Sequence, residues 1–193
     1  MKPEDLFREY YLSNLLKNGV DNLVFRKYSH SIGANIDNPK DKTNLIFSNI
    51  ILINEVLSKL FLTDDSTYGI AITSIVTHKT EIKFLFLLDC SLSISNENEK
   101  EVINIINKFK TNLKAFTNAM LIKTDKSYHI ASFVPLSIEE WRYHMAQALL
   151  MQTSRGENIA DIRYVGHSLE RDYGSLRFSA YEDKKVPEFI CYI

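Results

Sequence analysis

Cysteine is almost missing from this chain: among 193 residues there are two, Cys90 and Cys191. Two thiols cannot form a disulfide framework, and their separation is not that of a metal-ligand pair. A reducing compartment, cytoplasmic or otherwise intracellular, is therefore the expectation. Net charge is almost missing as well, at −1. No strong global field draws the chain to nucleic acid or to an anionic membrane, so any nucleic-acid contact must come from a local basic patch. Long hydrophobic runs are absent, with nothing near the ~20 apolar residues of a membrane span. The opening stretch, Met1-Lys2-Pro3-Glu4-Asp5, is polar and lacks the apolar region of a signal peptide. Repeats and low-complexity tracts are lacking too. What is present is enough chain for one domain, or one domain of two lobes, with a core that needs no staples.

The organising stretch is Lys83 to Ser91, K-F-L-F-L-L-D-C-S, an apolar run ending on a carboxylate. Its Phe and Leu content and its length predict a buried strand. Before it, Leu6, Phe7, Tyr10, Tyr11, Leu15 and Leu16 recur at helical spacing between Pro3 and Gly19. Asn22 to Tyr28 is strand-like, 29–42 is a loop by composition, and Asn44 to Phe61 carries a second helical stripe. Thr67 to Val76 alternates as a strand, and Thr77-His78-Lys79-Thr80 is a tight connection into the organising run. After it comes a helix with Asn96 as candidate N-cap, running to about Ala115, then strands at Ala119–Lys123 and Tyr128–Val134. Ser137-Ile138-Glu139-Glu140 is a capping box that opens a helix to about Gln152. Ile159 to Val165 and Ser175 to Ala180 read as further strands.

From Lys83 the order is strand, helix, strand, strand, helix, strand. That is the split βαβ arrangement of ferredoxin-like or RNA-recognition-motif-like folds. The expected class is α+β, with a helical N-terminal α/β lobe (1–65) and an RNA-recognition-motif-like lobe (66–193) in one compact two-lobed domain. The first and third strands are expected as central neighbours, with the fourth on the other side of the first. The hairpin strand at 67–76 conflicts with this order, because both edges of the Lys83–Ser91 strand are already taken.

Side chains alternate along strands. Adjacent strands would let Asp89, His129 and Asp161 converge on one surface, with Ser127 sharing the face of His129. Two carboxylates near a histidine suit a divalent metal and phosphate. Lys123, Lys126, Arg142, Arg163, Arg171 and Arg177 give this half a basic rim. Each residue also has an ordinary reading: a solvated strand end for Asp89, a half-buried histidine for His129, a cap or ion pair for Asp161. Gly166-His167-Ser168 lacks the glycines of a nucleophile elbow, and His144 and His167 have no patterned zinc partner.

These segments resemble the catalytic domain of the archaeo-eukaryotic primase, or primase-polymerase, superfamily. A hydrophobic strand ends in an acidic motif, usually Asp-x-Asp and here Asp89-Cys90-Ser91. A small-residue turn leads into a histidine strand, usually Ser/Gly-x-His and here Ser127-Tyr128-His129. A later acid, Asp161, precedes a basic segment holding Arg163, Arg171 and Arg177. The resemblance implies catalytic roles for Asp89, Asp161 and His129. Asp89 and Asp161 would be ligands of Mg²⁺ or Mn²⁺, and Ser127 and His129 phosphate contacts. It implies nucleotide contacts at Arg171 and Arg177, and nucleic-acid contacts at Lys126 and Arg163. Ser91 stands where the second acid of the first motif belongs, which weakens metal binding. The implied function is metal-dependent nucleotide transfer in DNA replication or repair. Its partners would be a nucleoside triphosphate and single-stranded or primed nucleic acid, with room for a protein partner and no membrane. The alternatives are a primase-like domain that binds nucleotide or nucleic acid without chemistry, and an unrelated ferredoxin-like interaction module.

Overall fold

The computed structural model describes residues 6–28, 45–49, 69–178 and 186–193. Its architecture is α+β, with two antiparallel sheets and helices packed outside one of them. A π-helical segment, Leu6–Leu12, continues into α1 (Ser13–Lys17). Gly19, at φ 72°, ends it in the left-handed conformation that glycine adopts without a Cβ penalty. Strand β1 (Val20–Tyr28) follows, then β2 (Leu45–Asn49). The helical stripe expected over Asn44 to Phe61 is therefore corrected at its start: Leu45–Asn49 is a strand paired with β1. The rest of that stripe, the 29–42 loop and most of the tail before residue 186 lie outside the described residues.

Strand β3 (Gly69–His78) turns into β4 (Glu81–Phe84) through Lys79 and Thr80, both at positive φ. That is the primed two-residue turn whose twist matches a hairpin. Asp21 holds it in place by accepting the Lys79 N–H at 2.7 Å. The Lys83–Ser91 run is not one strand. It leaves the first sheet after Phe84 and enters the second at β5 (Leu87–Asp89). This break removes the conflict over the edges. β4 serves the sheet β2-β1-β3-β4, while β5 is an edge strand of a second, four-stranded sheet built from later parts of the chain.

Helix α2 (Asn96–Phe109) starts one residue earlier than expected, because Ser95 is the N-cap and accepts the Asn98 N–H at 3.0 Å. β6 (Ala119–Lys123) and β7 (Tyr128–Ser132) form the expected hairpin. α3 (Ile138–Ala148) opens on the Ser137–Glu140 capping box, with both reciprocal bonds made. The first and third strands, β5 and β7, are neighbours as the pattern implied. The fourth is corrected. Only an isolated bridge, Cys90 to Ala160, runs beside the first strand, and Ile162–Arg171 is a helix, α4, rather than a strand. β8 (Ser175–Arg177) joins β3, so the first sheet draws on both ends of the sequence. β9 (Glu188–Tyr192) takes the open edge of β6.

Alternation along β5, β6 and β7 builds two cores. Phe86, Leu88, Cys90, Leu121, Tyr128 and Ile130 face α2, α3 and α4, with Trp141, Phe116 and Val165 fully buried among them. Phe86 and Phe116 meet edge to face at 5.3 Å, a pairing worth about 0.5–1.5 kcal/mol beyond its buried area. Leu87, Met120, Ile122 and Ala131 point the other way. They pack on Leu23, Phe25, Ile72 and Val76 of the first sheet and on Tyr11 and Leu15 of the N-terminal helical segment. Asp89 and His129 lie on this second face, where the space between the sheets ends. Among the described residues no helix is long and apolar enough to cross a membrane.

Candidate functional site

The site begins with a cross-strand pair. Asp89, the last residue of β5, is opposite His129 of β7. The His129 Nε2 lies 3.6 Å from Asp89 Oδ1. The Ser127 hydroxyl, on the same face as His129, donates to that carboxylate oxygen at 3.4 Å. Ser127 is set by its turn, in which the Thr124 Oγ1 accepts the Lys126 and Ser127 N–H groups and the Thr124 N–H donates to the Ser127 carbonyl.

Asp161 arrives differently from the strand expectation. The segment before it lies against the end of β5, with its N–H donating to the Asp89 carbonyl at 2.9 Å. Its own side chain is the N-cap of α4, Oδ1 accepting the Arg163 N–H at 2.8 Å and the Tyr164 N–H at 3.2 Å. An Asp ahead of Ile162, Val165 and Leu169 is a helix-start signal, and the β-branched residues around it masked that signal. The two carboxylates still converge, because backbone pairing replaces the missing strand.

Electrostatics follows from this packing. Asp89 is raised to about 7 by burial first and by the neighbouring Asp161 charge second, against the lowering effects of Ser127 and Arg177. Its side chain keeps 34% of its surface exposed, so solvent, protons and ions reach it. His129 is pushed down to about 3 by burial and by the Arg177 charge, so the ring is neutral at physiological pH. Its Nδ1 is buried and has no hydrogen-bond partner among the described residues.

Arg177 completes the group from the other sheet. From β8 its guanidinium Nη2 comes within 3.3 Å of Asp125 Oδ2, in the β6–β7 turn. Its charge acts on both Asp89 and His129. The remaining basic candidates are dispersed. Lys126 is exposed on the turn, and Arg163 is 86% exposed with its Nη2 3.8 Å from Asp161. Arg171 sits at the far end of α4, its Nε bonded to the His167 carbonyl and its guanidinium over the Tyr173 ring. Arg142 pairs with Asp172 at 2.7 Å. Two members escaped the sequence reading. One is Asp125, which carried no signal beyond a turn residue. The other is Tyr164, whose hydroxyl donates to the Leu87 carbonyl at 3.0 Å and whose pKa is raised by burial and by Asp89.

Among the described residues no three His, Cys, Asp or Glu side chains group as a cation cage. The Ser91 hydroxyl is committed to the Asn158 carbonyl. What the residues fit is one hard cation between two mutually repelling carboxylates, with its other ligands brought by substrate oxygens, a mode typical of Mg²⁺. Asp125, the other acid described at this group, is paired with Arg177 and does not cluster with these two as a cation cage among the described residues.

No curated protein matches the chain. Among solved structures, the crystal structure of primase RepB' superposes with a TM-score of 0.41 at 9% identity. That match covers 93% of this chain and 55% of the other, so the chain spans about half the length of that protein. A family model for the archaeo-eukaryotic primase 1D-like, AEP-like domain matches residues 52–189, more than half of the sequence. The match takes in Asp89, Ser127, His129, Asp161 and Arg177, and by it the chain belongs to the AEP-like family of archaeo-eukaryotic primase domains.

Proposed function

We propose that this domain is a primase-polymerase-like nucleotidyltransferase acting in DNA replication or repair. It binds a nucleoside triphosphate at the mouth of the space between the two sheets and adds nucleotides to single-stranded or primed nucleic acid. The observation that carries this reading is the convergence of Asp89, Asp161, Ser127 and neutral His129 under the Arg177 charge. The bridge of Cys90 to Ala160, beside β5-β7-β6, supports a ferredoxin-like sheet whose fourth strand has been shortened.

Asp89 and Asp161 would hold Mg²⁺ or Mn²⁺. When bound, such an ion neutralises phosphate charge and aligns the transferred group. The chain's own residues do the rest. His129 and Ser127 offer hydrogen-bond donors to phosphate oxygens, and Arg177 offers fixed positive charge. Lys126 and Arg163, both exposed, suit the backbone of a nucleic-acid strand, whose binding weakens with salt. Arg171 belongs to the outer part of that path.

The test is extension of a labelled primer on a DNA template with Mg²⁺ or Mn²⁺. Extension by the parent and its loss in Asp89→Ala is the expected result. Asp89→Ala extending as well as the parent removes Asp89 from the mechanism. One observation favours a second reading, in which the domain binds without transfer: Ser91 supplies no anionic ligand and its hydroxyl is occupied. Metal-dependent triphosphate binding with no extension under either ion selects that reading.

A further inference from the structure

We propose that Tyr164 is a positioning residue: by tying α4 to β5, it holds the Asp161 carboxylate in place beside Asp89. That role rests on the reading of both acids as ion ligands given above. β5 is the edge of its sheet, and only alternate backbone groups along it face β7. The Ser132 N–H donates to the Phe86 carbonyl at 2.9 Å, and the Cys90 N–H to the Tyr128 carbonyl at 2.9 Å. The carbonyls of Leu87 and Asp89 therefore face away from β7. Both are taken by the start of α4. The Asp161 N–H donates to the Asp89 carbonyl at 2.9 Å, and the Tyr164 hydroxyl to the Leu87 carbonyl at 3.0 Å.

Two attachment points do what one cannot. With the Asp89 bond alone, the first turn of α4 would be free to swing about that point, carrying the Asp161 side chain with it. The second bond, three residues on, stops the rotation. The Tyr164 backbone closes the loop, since its N–H donates to Asp161 Oδ1 at 3.2 Å. One residue thus touches one acid through its amide and the strand of the other acid through its phenol. The surroundings hold that phenol in place. Its half-buried ring packs against both cores. Gly174 lies so close that a Cβ there would stand 2.5 Å from the Tyr164 hydroxyl. Gly174 is itself anchored on β3, its N–H donating to the Ser74 hydroxyl at 3.0 Å and its carbonyl accepting the Ser74 N–H at 2.8 Å. The phenol is therefore wedged between β5 and a backbone fixed to the other sheet.

The experiment compares the full chain with Tyr164→Phe, which deletes one oxygen, and with His144→Phe, which removes the buried bond from the Ala115 N–H to His144 on α3. Each variant is first checked for a folded circular-dichroism spectrum. The first readout is hydrogen exchange of the Asp161 amide by NMR, with no ion present. Tyr164→Phe speeds it about fivefold, as loss of one net hydrogen bond implies, and His144→Phe leaves it near the parent's. The second is Mn²⁺ affinity in the presence of a non-hydrolysable nucleoside triphosphate, by electron paramagnetic resonance. Tyr164→Phe weakens it about fivefold, and His144→Phe binds like the parent. Gly174→Ala, which keeps the phenol but crowds it off the Leu87 carbonyl, weakens it as Tyr164→Phe does. Unchanged Asp161 exchange in Tyr164→Phe overturns the proposal, as does ion–triphosphate binding that Tyr164→Phe and His144→Phe weaken alike or leave alike. A parent that binds no ion with triphosphate refutes the nucleotide reading instead, and the Asp161 exchange then decides by itself whether Tyr164 holds that residue.

Discussion

Asp161 does two jobs that substitution separates. Its carboxylate caps α4 through two backbone N–H groups, and its charge raises Asp89. Asp161→Ala removes both. The lost cap costs about 1 kcal/mol, within a range of about 0.5–2. For a chain of this length that lowers the thermal midpoint by about 2–4 °C. Asp161→Asn keeps the cap, because asparagine caps as well as aspartate. It gives up an attraction to the helix N-terminus of about 0.3–1 kcal/mol, partly offset by relief of the repulsion with Asp89. Its midpoint should fall by less than half as much. The Asp89 midpoint, followed by carboxyl-carbon NMR, should move down in both variants. Thermal unfolding of the three proteins at pH 8 and the Asp89 titration are the assays. Equal destabilisation by Asn and Ala would refute the capping role, and an unmoved Asp89 would refute the charge coupling.

Other expectations follow from the same geometry. Asp89 in the folded state takes its proton at about 7, well above an ordinary carboxyl, so between about pH 4 and 7 the folded chain binds more protons than the unfolded one and stability falls as pH rises. Asp89→Asn abolishes this term, and its urea midpoint should move in its favour relative to the parent between pH 4 and pH 8. His144 accepts the buried Ala115 N–H at 3.2 Å, and burial lowers its pKa. Its contribution is full above the unfolded value near 6.5 and is lost as pH falls. His144→Phe should therefore cost about 1–3 kcal/mol at pH 8 by orphaning that N–H, with a smaller gap from the parent in acid, read by urea unfolding. At Gly174 an added Cβ would lie 2.5 Å from the Tyr164 hydroxyl. Gly174→Ala should cost on the order of 1–3 kcal/mol in overpacking and displace Tyr164 from the Leu87 carbonyl; a thermal midpoint equal to the parent's would contradict this.

Local chemistry explains what the sequence made legible. The Ser137–Glu140 box, the Lys79–Thr80 turn, the β6–β7 hairpin and the Gly19 stop are each written within a few residues, and each is found. So is the pairing of Asp89 with His129, because alternation and strand adjacency place them together. Non-local competition hid the rest. Nothing within Lys83–Ser91 says that Leu85 and Phe86 carry the chain from one sheet to another; that depends on which neighbours claim each half. Ile159 to Val165 has strand-forming side chains, yet the Asp161 cap and the apolar floor offered to Val165 turn it into a helix after one bridge. Leu45 to Asn49 suited a helix by period, and β1 offered it an edge. Asp125 became visible only once Arg177 lay across from it.

Under the proposed function, Asp89 and Asp161 would grip a divalent ion together with substrate phosphates. Titrating Mn²⁺ into the full chain with and without a non-hydrolysable nucleoside triphosphate, followed by electron paramagnetic resonance, tests it directly. Weak Mn²⁺ binding alone, markedly tighter binding with the triphosphate, and loss of that enhancement in Asp89→Asn are expected. Enhancement undiminished in Asp89→Asn would contradict it.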